Sequence, residues 1–420
     1  MEWARFQKYA RRMRMLGGDI TLDSLSQKIL SVIQLNTINE PLFPNLKTLY
    51  FWGIEEMHIP FIPFFLSPST TSIALGFNSL PETIIASTIT ILPTLCPNLQ
   101  AIILGALPSD PTITAAVSRM LLTTNRNTLQ EVYMDSPGLT EEASHVLYEL
   151  PNLRSLSVAI ERETPLPPAS LPNLTGLVIT CDNEDGWPRL FRGATLGKLE
   201  RVDFYLQSGQ IGDLLGAFEK AALSSSVQNT LSSFCVYTSS SWNPNYSSLL
   251  PFTQLVDLDI RFSCDGGCSS RVDDDIIISI SQAMPKLKYL RLGDEPCHQT
   301  TGGVMAKGLL TLAHHCPKLL ILRVHLQVAS LSDPPGIPGM VPAAGPTASW
   351  KDCALMRLDV GKTPVPKGSA MTITQTLLRI FPRLGCIVFM NEGWHEVAVA
   401  INRSRETVGY SGKQRPLTMP

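Results

Sequence analysis

Apolar residues along this chain recur in one figure, L-x-x-L-x-apolar, often introduced by a proline two residues before the first leucine. "FPNLKTLYF", "CPNLQAIIL", "LPNLRSLSV", "LPNLTGLVI", "MPKLKYLRL" and "CPKLLILRV" are instances. Its first position is marked by Leu46, Thr70, Leu99, Leu129, Leu153, Leu174, Leu199, Leu231, Leu255, Leu287, Leu319, Leu355 and Leu384. The steps run from 21 to 36 residues and average about 28. Thr70 is the weakest mark, completed by Ile73 and Leu75. Leu231 is continued less regularly, by Phe234 and Val236. Each figure has the period of two that belongs to a strand: in "LKYLRLG", Leu290 and Leu292 point to one side, and Tyr289, Arg291 and Gly293 to the other.

Between the figures the period changes to that of a helix. In "DPTITAAVSRMLLTTN", Asp110 is placed to cap, Pro111 sits in the first turn, and Ile113, Val117, Met120 and Leu121 form a stripe. Further helices are expected over 139–150, 211–223, 272–284, 300–316 and 371–381. Several end just before a proline, which disfavours the helical conformation of the residue ahead of it. The "CP", "LP", "MP" and "FP" pairs therefore read as punctuation, stopping a helix and launching a strand.

A single amphipathic strand cannot bury its leucines alone, but stacked copies can, with the returning helices covering the apolar side. The expected fold class is α/β: a leucine-rich-repeat solenoid (horseshoe) with a parallel concave β-sheet, outer helices and about 12–13 irregular repeats. The expected divisions are an N-terminal helical cap over 1–40, the solenoid over 41–395, and a C-terminal tail over 396–420. Residues 329–350 carry five prolines and no periodicity, and read as an insertion loop. Trp394 and Val397 are placed to close the last repeat.

Composition narrows the picture. With 44% hydrophobic and 17% charged residues, the chain must bury a large core. A net charge of −2 gives no electrostatic footprint for nucleic acid or for an anionic membrane. The most apolar stretch, "IPFIPFFL", is short and broken by Pro60 and Pro63, and the N-terminus has no signal-like apolar region. The reading is an intracellular protein, cytoplasmic or nuclear, with no membrane or nucleic-acid partner. Among nine cysteines, Cys96, Cys316 and Cys353 occupy or lie near the position where other repeats carry Leu, Met or Phe, as small buried hydrophobes. The sequons at Asn173, Asn245 and Asn402 weigh little against an intracellular location.

The P-N-L strands, the helix–strand order and the uneven repeat length resemble leucine-rich-repeat proteins of the F-box class, particularly the large fungal sets. "EWARFQKYARRMRML", with Trp3, Phe6 and Tyr9 at helical spacing, is similar to the segment that follows the F-box in that family. The resemblance implies repeats that hold a substrate, while an F-box docks to the adaptor of a cullin–RING ubiquitin ligase. No F-box motif is legible ahead of the repeats. "LPETII" at 80–85 mimics its opening pattern inside the array, where a helix fits better. An adaptor is therefore a partner only if an F-box is supplied upstream.

On this reading, side chains two and four places after each mark line the concave face, and the sixth extends it. They are Tyr50, Trp52, Tyr133, Asp135, Arg201, Asp203, Tyr205, Tyr237, Asp257, Asp259, Arg261, Tyr289, Arg291, Arg323, His325, Arg357 and Asp359. Aromatic residues and arginine supply large contact area and directed hydrogen bonds, which suits a protein partner such as a ubiquitination substrate. The competing reading is a ladder of mutually paired residues, with Arg201 facing neighbours of the Asp257 type. Cys264 and Cys268, with Cys297 and His298, have poor spacing for zinc, and loop cysteines are the simpler reading. His314 and His315 read as a helix end, and Asp273 to Asp275 as a helix start. With no catalytic motif, no metal site and no cofactor site, the expected function is a non-enzymatic recognition scaffold, akin to a substrate receptor. The alternative is a repeat-only regulator that occludes an enzyme such as a GTPase or nuclease.

Overall fold

A computed structural model describes residues 2–17, 32, 41–77, 79–123, 127–134, 145–147, 149–160, 171–181, 196–206, 214–224, 226–239, 242, 244–262, 272–293, 303–332, 352–361 and 363–407. The chain divides into two compact units, Met1–Val227 and Gln228–Pro420.

In the first unit the described strands are β1 (Met15–Leu16), β2 (Thr48–Ile54), β3 (Ser72–Phe77), β4 (Ala101–Gly105), β5 (Glu131–Met134), β6 (Ser155–Ile160), β7 (Gly176–Cys181) and β8 (Arg201–Leu206). The helices are α1 (Glu2–Ala10), α2 (Ile62–Phe65), α3 (Glu82–Leu95), α4 (Pro111–Thr123) and α5 (Leu214–Ser224). In the second unit the strands are β9 (Ser233–Thr238), β10 (Asp257–Phe262), β11 (Tyr289–Leu292), β12 (Ile321–Arg323), β13 (Arg357–Gly361) and β14 (Cys386–Phe389). Its helices are α6 (Asp274–Ala283), α7 (Ala306–His315), α8 (Ala329–Ser332), α9 (Ala370–Ile380) and α10 (Trp394–Thr407).

Within each unit every strand pairs in parallel with the next in chain order. The fold is thus an α/β leucine-rich-repeat solenoid. All thirteen marks are at most 1% exposed, and each is followed two residues later by the first residue of a strand, β2 to β14. The apolar side chains stack in register: Val132, Leu156 and Leu177 in the first unit, and Leu258, Leu290 and Leu322 in the second. This apolar side meets the helices, as Phe204 of β8 does edge-on with Phe218 of α5 at 6.1 Å between ring centroids. Each fully buried leucine of this kind contributes about 1.5–3 kcal/mol. Thr70 holds the weakest mark because its hydroxyl donates to the Leu46 carbonyl and accepts from the Ser67 amide, so no polar atom is stranded.

The starts of β2 to β8 and of β10 to β14 are each locked by a shared carbonyl. Lys288 O, for example, accepts both Leu320 N (2.8 Å) and Ile321 N (3.1 Å), and Gln130 O accepts Arg154 N and Ser155 N in the same way. Asparagine of the P-N pair adds a third link. Asn152 Nδ2 donates to Asn127 O and Asn173 Nδ2 to Pro151 O, each at 2.7 Å, reaching back one repeat. The pair is therefore more than punctuation, since its amide ties successive repeats together. The helix stops are as expected: Cys96, Met284, Cys316 and Phe381, each just before proline, leave the helical region with ψ of 66–80°.

Two differences from the sequence reading have local causes. β1 carries no mark, yet Leu16 pairs beside Leu49 as one more rung. The expected helix over 300–316 begins only at Ala306, because Val304 is held extended by a parallel bridge to Leu326. Of the helix expected over 139–150, residues 145–147 are helical, while 139–144 and 148 lie outside the described residues. Within 329–350, the first four residues form α8, and 333–350 lie outside the described residues. Trp394 and Val397 are fully buried, and the Trp394 indole donates to Thr363 O at 2.8 Å. No helix among the described residues is long and apolar enough to cross a membrane.

Candidate functional site

The period of two that buries the leucines turns the alternate residues to the opposite, open face of the sheet. In the first unit one row of that face runs Tyr50, Ala74, Ile103, Tyr133, Ser157, Val178 and Asp203. The aromatic positions read from sequence are thus interleaved with small and aliphatic ones that a search for polar chemistry passes over. Trp52 is 45% exposed, and its indole lies so close over Gly76 that a β-carbon there would overlap the ring. Tyr133 and Ser155 join hydroxyls across adjacent strands at 2.5 Å. Arg201 folds onto Asp203 two places along its own strand, with Nε to Oδ2 at 2.9 Å. The two side chains of a strand that are two apart share a face, so this contact is the shorter reach. Asp203 Oδ1 is buried and meets no hydrogen-bond partner among the described residues. Tyr205 on the same strand is exposed. Asp135 lies outside the described residues.

The second unit concentrates charge. Its central row is Cys235, Asp259, Arg291, Arg323 and Asp359. Asp259 is fully buried. Arg261 clamps it with two bonds, Nε to Oδ1 at 2.9 Å and Nη2 to Oδ2 at 2.7 Å, while Arg291 Nη1 reaches Oδ2 at 2.7 Å from the next strand. Tyr237 adds its hydroxyl to Oδ2 at 3.3 Å and places its ring 4.8 Å beneath the Arg261 guanidinium, a cation–π contact. Two guanidiniums and one phenol thus converge on one carboxylate. Arg323 and Asp359 stand farther apart, at 3.8 Å, and Asp359 Oδ1 instead accepts the Gly361 amide at 3.1 Å. The neighbouring row is Ser233, Asp257, Tyr289, Ile321, Arg357 and Cys386, which brings Asp257, Tyr289 and Arg357 onto the same face.

His325 extends the face beyond β12. Its Nδ1 lies 3.2 Å from Thr363 Oγ1, whose hydroxyl also accepts the Leu326 amide at 3.4 Å. Burial holds this imidazole below its ordinary range, because charging it would strand a cation out of water.

Other candidates take structural places. Asp273 caps α6 through Ile276 N at 3.1 Å. Asp274, buried beside it, turns instead to the next repeat and accepts Met305 N at 2.7 Å, at the start of α7. Burial raises its pKa, against the lowering effect of that bond. His314 and His315 stand edge to face at the end of α7. The buried thiols are pushed up by desolvation, Cys96 to about 11 and Cys316 to about 12. That is the opposite of what a nucleophile needs. Cys264, Cys268, Cys297 and His298 lie outside the described residues. Sequence reasoning missed the cleft of about 330 Å³ between the 3-10 turn Tyr246–Leu249 and α6, which Tyr246 helps to line; its buried hydroxyl meets no hydrogen-bond partner among the described residues.

No family model matches the chain, and no curated protein does. Among solved structures, it is similar to the one described as the crystal structure of the Rad7 and Elc1 complex in yeast, at 13% identity, covering 93% of this chain and 90% of that one with a TM-score of 0.43. It is also similar to a protein from Bacteroides fragilis, at 12% identity, covering 89% of this chain and 73% of that one with a TM-score of 0.31.

Proposed function

We propose that this chain is a non-enzymatic recognition scaffold that holds a protein partner on the open face of its repeats, in the manner of a substrate receptor. The observation that carries the reading is the second unit's face, where Tyr237, Arg261 and Arg291 are fixed by the buried Asp259. Side chains held in one arrangement before binding lose little entropy when a partner arrives, and tyrosine and arginine are the residue types that anchor interfaces. The finer role, recruitment of a substrate for ubiquitination, is supported by the resemblance of the P-N-L strands to F-box leucine-rich-repeat proteins.

The test is quantitative affinity capture from cell lysate with the full chain and with a variant carrying Tyr289→Ala, Arg291→Ala, Arg323→Ala and His325→Ala. The expected result is that a discrete set of proteins is lost with the variant while its thermal unfolding stays cooperative. Capture of the same proteins at the same levels by both would rule the face out.

A further inference from the structure

We infer that the outward face of α1 docks a short acidic segment of a partner protein, independently of anything held on the open face of the sheet. Residues 1–16 contain five basic residues and one acidic one, a local net of +4 in a chain whose total is −2. Arg5, Lys8, Tyr9 and Arg12 stand at i, i+3, i+4 and i+7, the spacing that gathers side chains on one side of a helix. The turn continues past Ala10, since Arg11 N donates to Gln7 O at 3.0 Å and Arg12 N to Tyr9 O at 2.9 Å. All four side chains are exposed, Tyr9 by 55%. Among the described residues no carboxylate pairs with Arg5, Lys8, Arg11 or Arg12. The negative end of the helix dipole favours Lys8 in the last turn of α1, but it gives nothing to Arg5 near the start. Helix stability therefore does not account for the whole basic row.

The other side of α1 is already spent on the fold. Trp3 stacks on Phe6 at 5.1 Å, Phe6 meets Phe43 at 6.3 Å, and Ala10 is buried. A helix lying on a bilayer needs its apolar side free, so a lipid surface does not fit. The turn after α1 is tied to the first repeat: Asn45 Nδ2 donates to Arg11 O at 2.8 Å, and Arg14 Nη1 to Asn45 O at 3.0 Å. The basic row is thus set in place before a partner arrives. From Arg5 to Arg12 it runs about 10 Å along the helix axis. A nucleic-acid duplex carries about six phosphates over that length, well beyond what three cations neutralise. An extended peptide instead brings alternate side chains about 6.6 Å apart, close to the step of about 5.4 Å between helical turns. Two or three carboxylates so spaced match the row in number and interval, and Tyr9 supplies aromatic contact among them.

The test uses the full chain and short fluorescein-labelled peptides with glutamate or glutamine at alternate positions, read by anisotropy, beside a labelled DNA duplex and phosphatidylserine vesicles. The glutamate peptide is expected to bind about tenfold more tightly than the glutamine peptide, the factor that three exposed ion pairs supply. Arg5→Gln with Lys8→Gln and Arg12→Gln should erase that difference. Lys220→Gln with Lys318→Gln and Lys367→Gln, which removes the same charge at exposed positions elsewhere, should leave it intact. Affinity of the unaltered chain for the glutamate peptide should also fall as NaCl rises from about 50 to about 300 mM. Equal binding of the two peptides, a flat salt response, equal losses in the two triple variants, or tighter binding of duplex or vesicles overturns the acidic dock. The variant altered at Tyr289, Arg291, Arg323 and His325 should bind the glutamate peptide as the unaltered chain does. Loss of binding there would move the site to the open face and overturn this one, while the lysate capture judges the open face separately.

Discussion

Asp259 accepts four hydrogen bonds while entirely out of water, and three side chains of the open face take their positions from it. A buried ion pair of this kind gives modest net stability when intact but is costly to break from one side. Replacing Asp259 with Asn keeps the shape but turns an acceptor into a donor that faces two guanidiniums. We expect Asp259→Asn to lower stability by about 3 kcal/mol, near the low end for such pairs because Arg261 and Arg291 retain some solvent. Urea unfolding measures it, and a loss within experimental error would mean that the carboxylate orients nothing.

At the scale of the element, consecutive helices are coupled by a cap that crosses between repeats. Met305 precedes α7 and has no capping side chain of its own; the donor there is satisfied by Asp274, from the first turn of α6. Gly308 makes room for that carboxylate, since a β-carbon at 308 would run into it. Asp274→Ala should cost about 1–2 kcal/mol through loss of the cap. Gly308→Ala should be destabilising beside Asp274 and far less so in the Asp274→Ala background, giving a coupling of at least about 0.5 kcal/mol in a double-mutant cycle. Strict additivity would show that the two residues do not share the space.

At the largest scale, within each unit every described strand pairs with its neighbours in chain order, so stability is carried as a sum of repeat and nearest-neighbour terms. Damage to one rung should therefore spread by one rung before it fades. Leu290 is fully buried and in register with Leu258 and Leu322. Leu290→Ala is expected to cost about 3 kcal/mol and to lower amide-exchange protection most in β10, β11 and β12, with β14 losing least. Equal loss over every strand of the second unit would point to a single cooperative core instead.

The solenoid is legible in the sequence because its signal is local and repeated. A leucine mark, a strand of period two and a proline stop lie within a few residues of one another, and thirteen copies average out the irregular ones. Leu287 to Leu292 suffices to show which side chains go inside. β1 escaped because Met15–Leu16 has no mark, and becomes a strand only by pairing with β2. The open-face positions were equally legible, since they follow from the same alternation, but their chemistry was not. Whether Arg201 bonds along its strand or across it, whether Asp259 is buried, and whether Asp274 caps its own helix or the next depend on which groups meet at distances of a few ångström. Those meetings join residues some thirty positions apart in the chain, such as Asp259 with Arg291 and Asp274 with Met305. Periodicity sets the face a side chain occupies, whereas register between repeats of unequal length sets its neighbour, and only the folded stack holds that register.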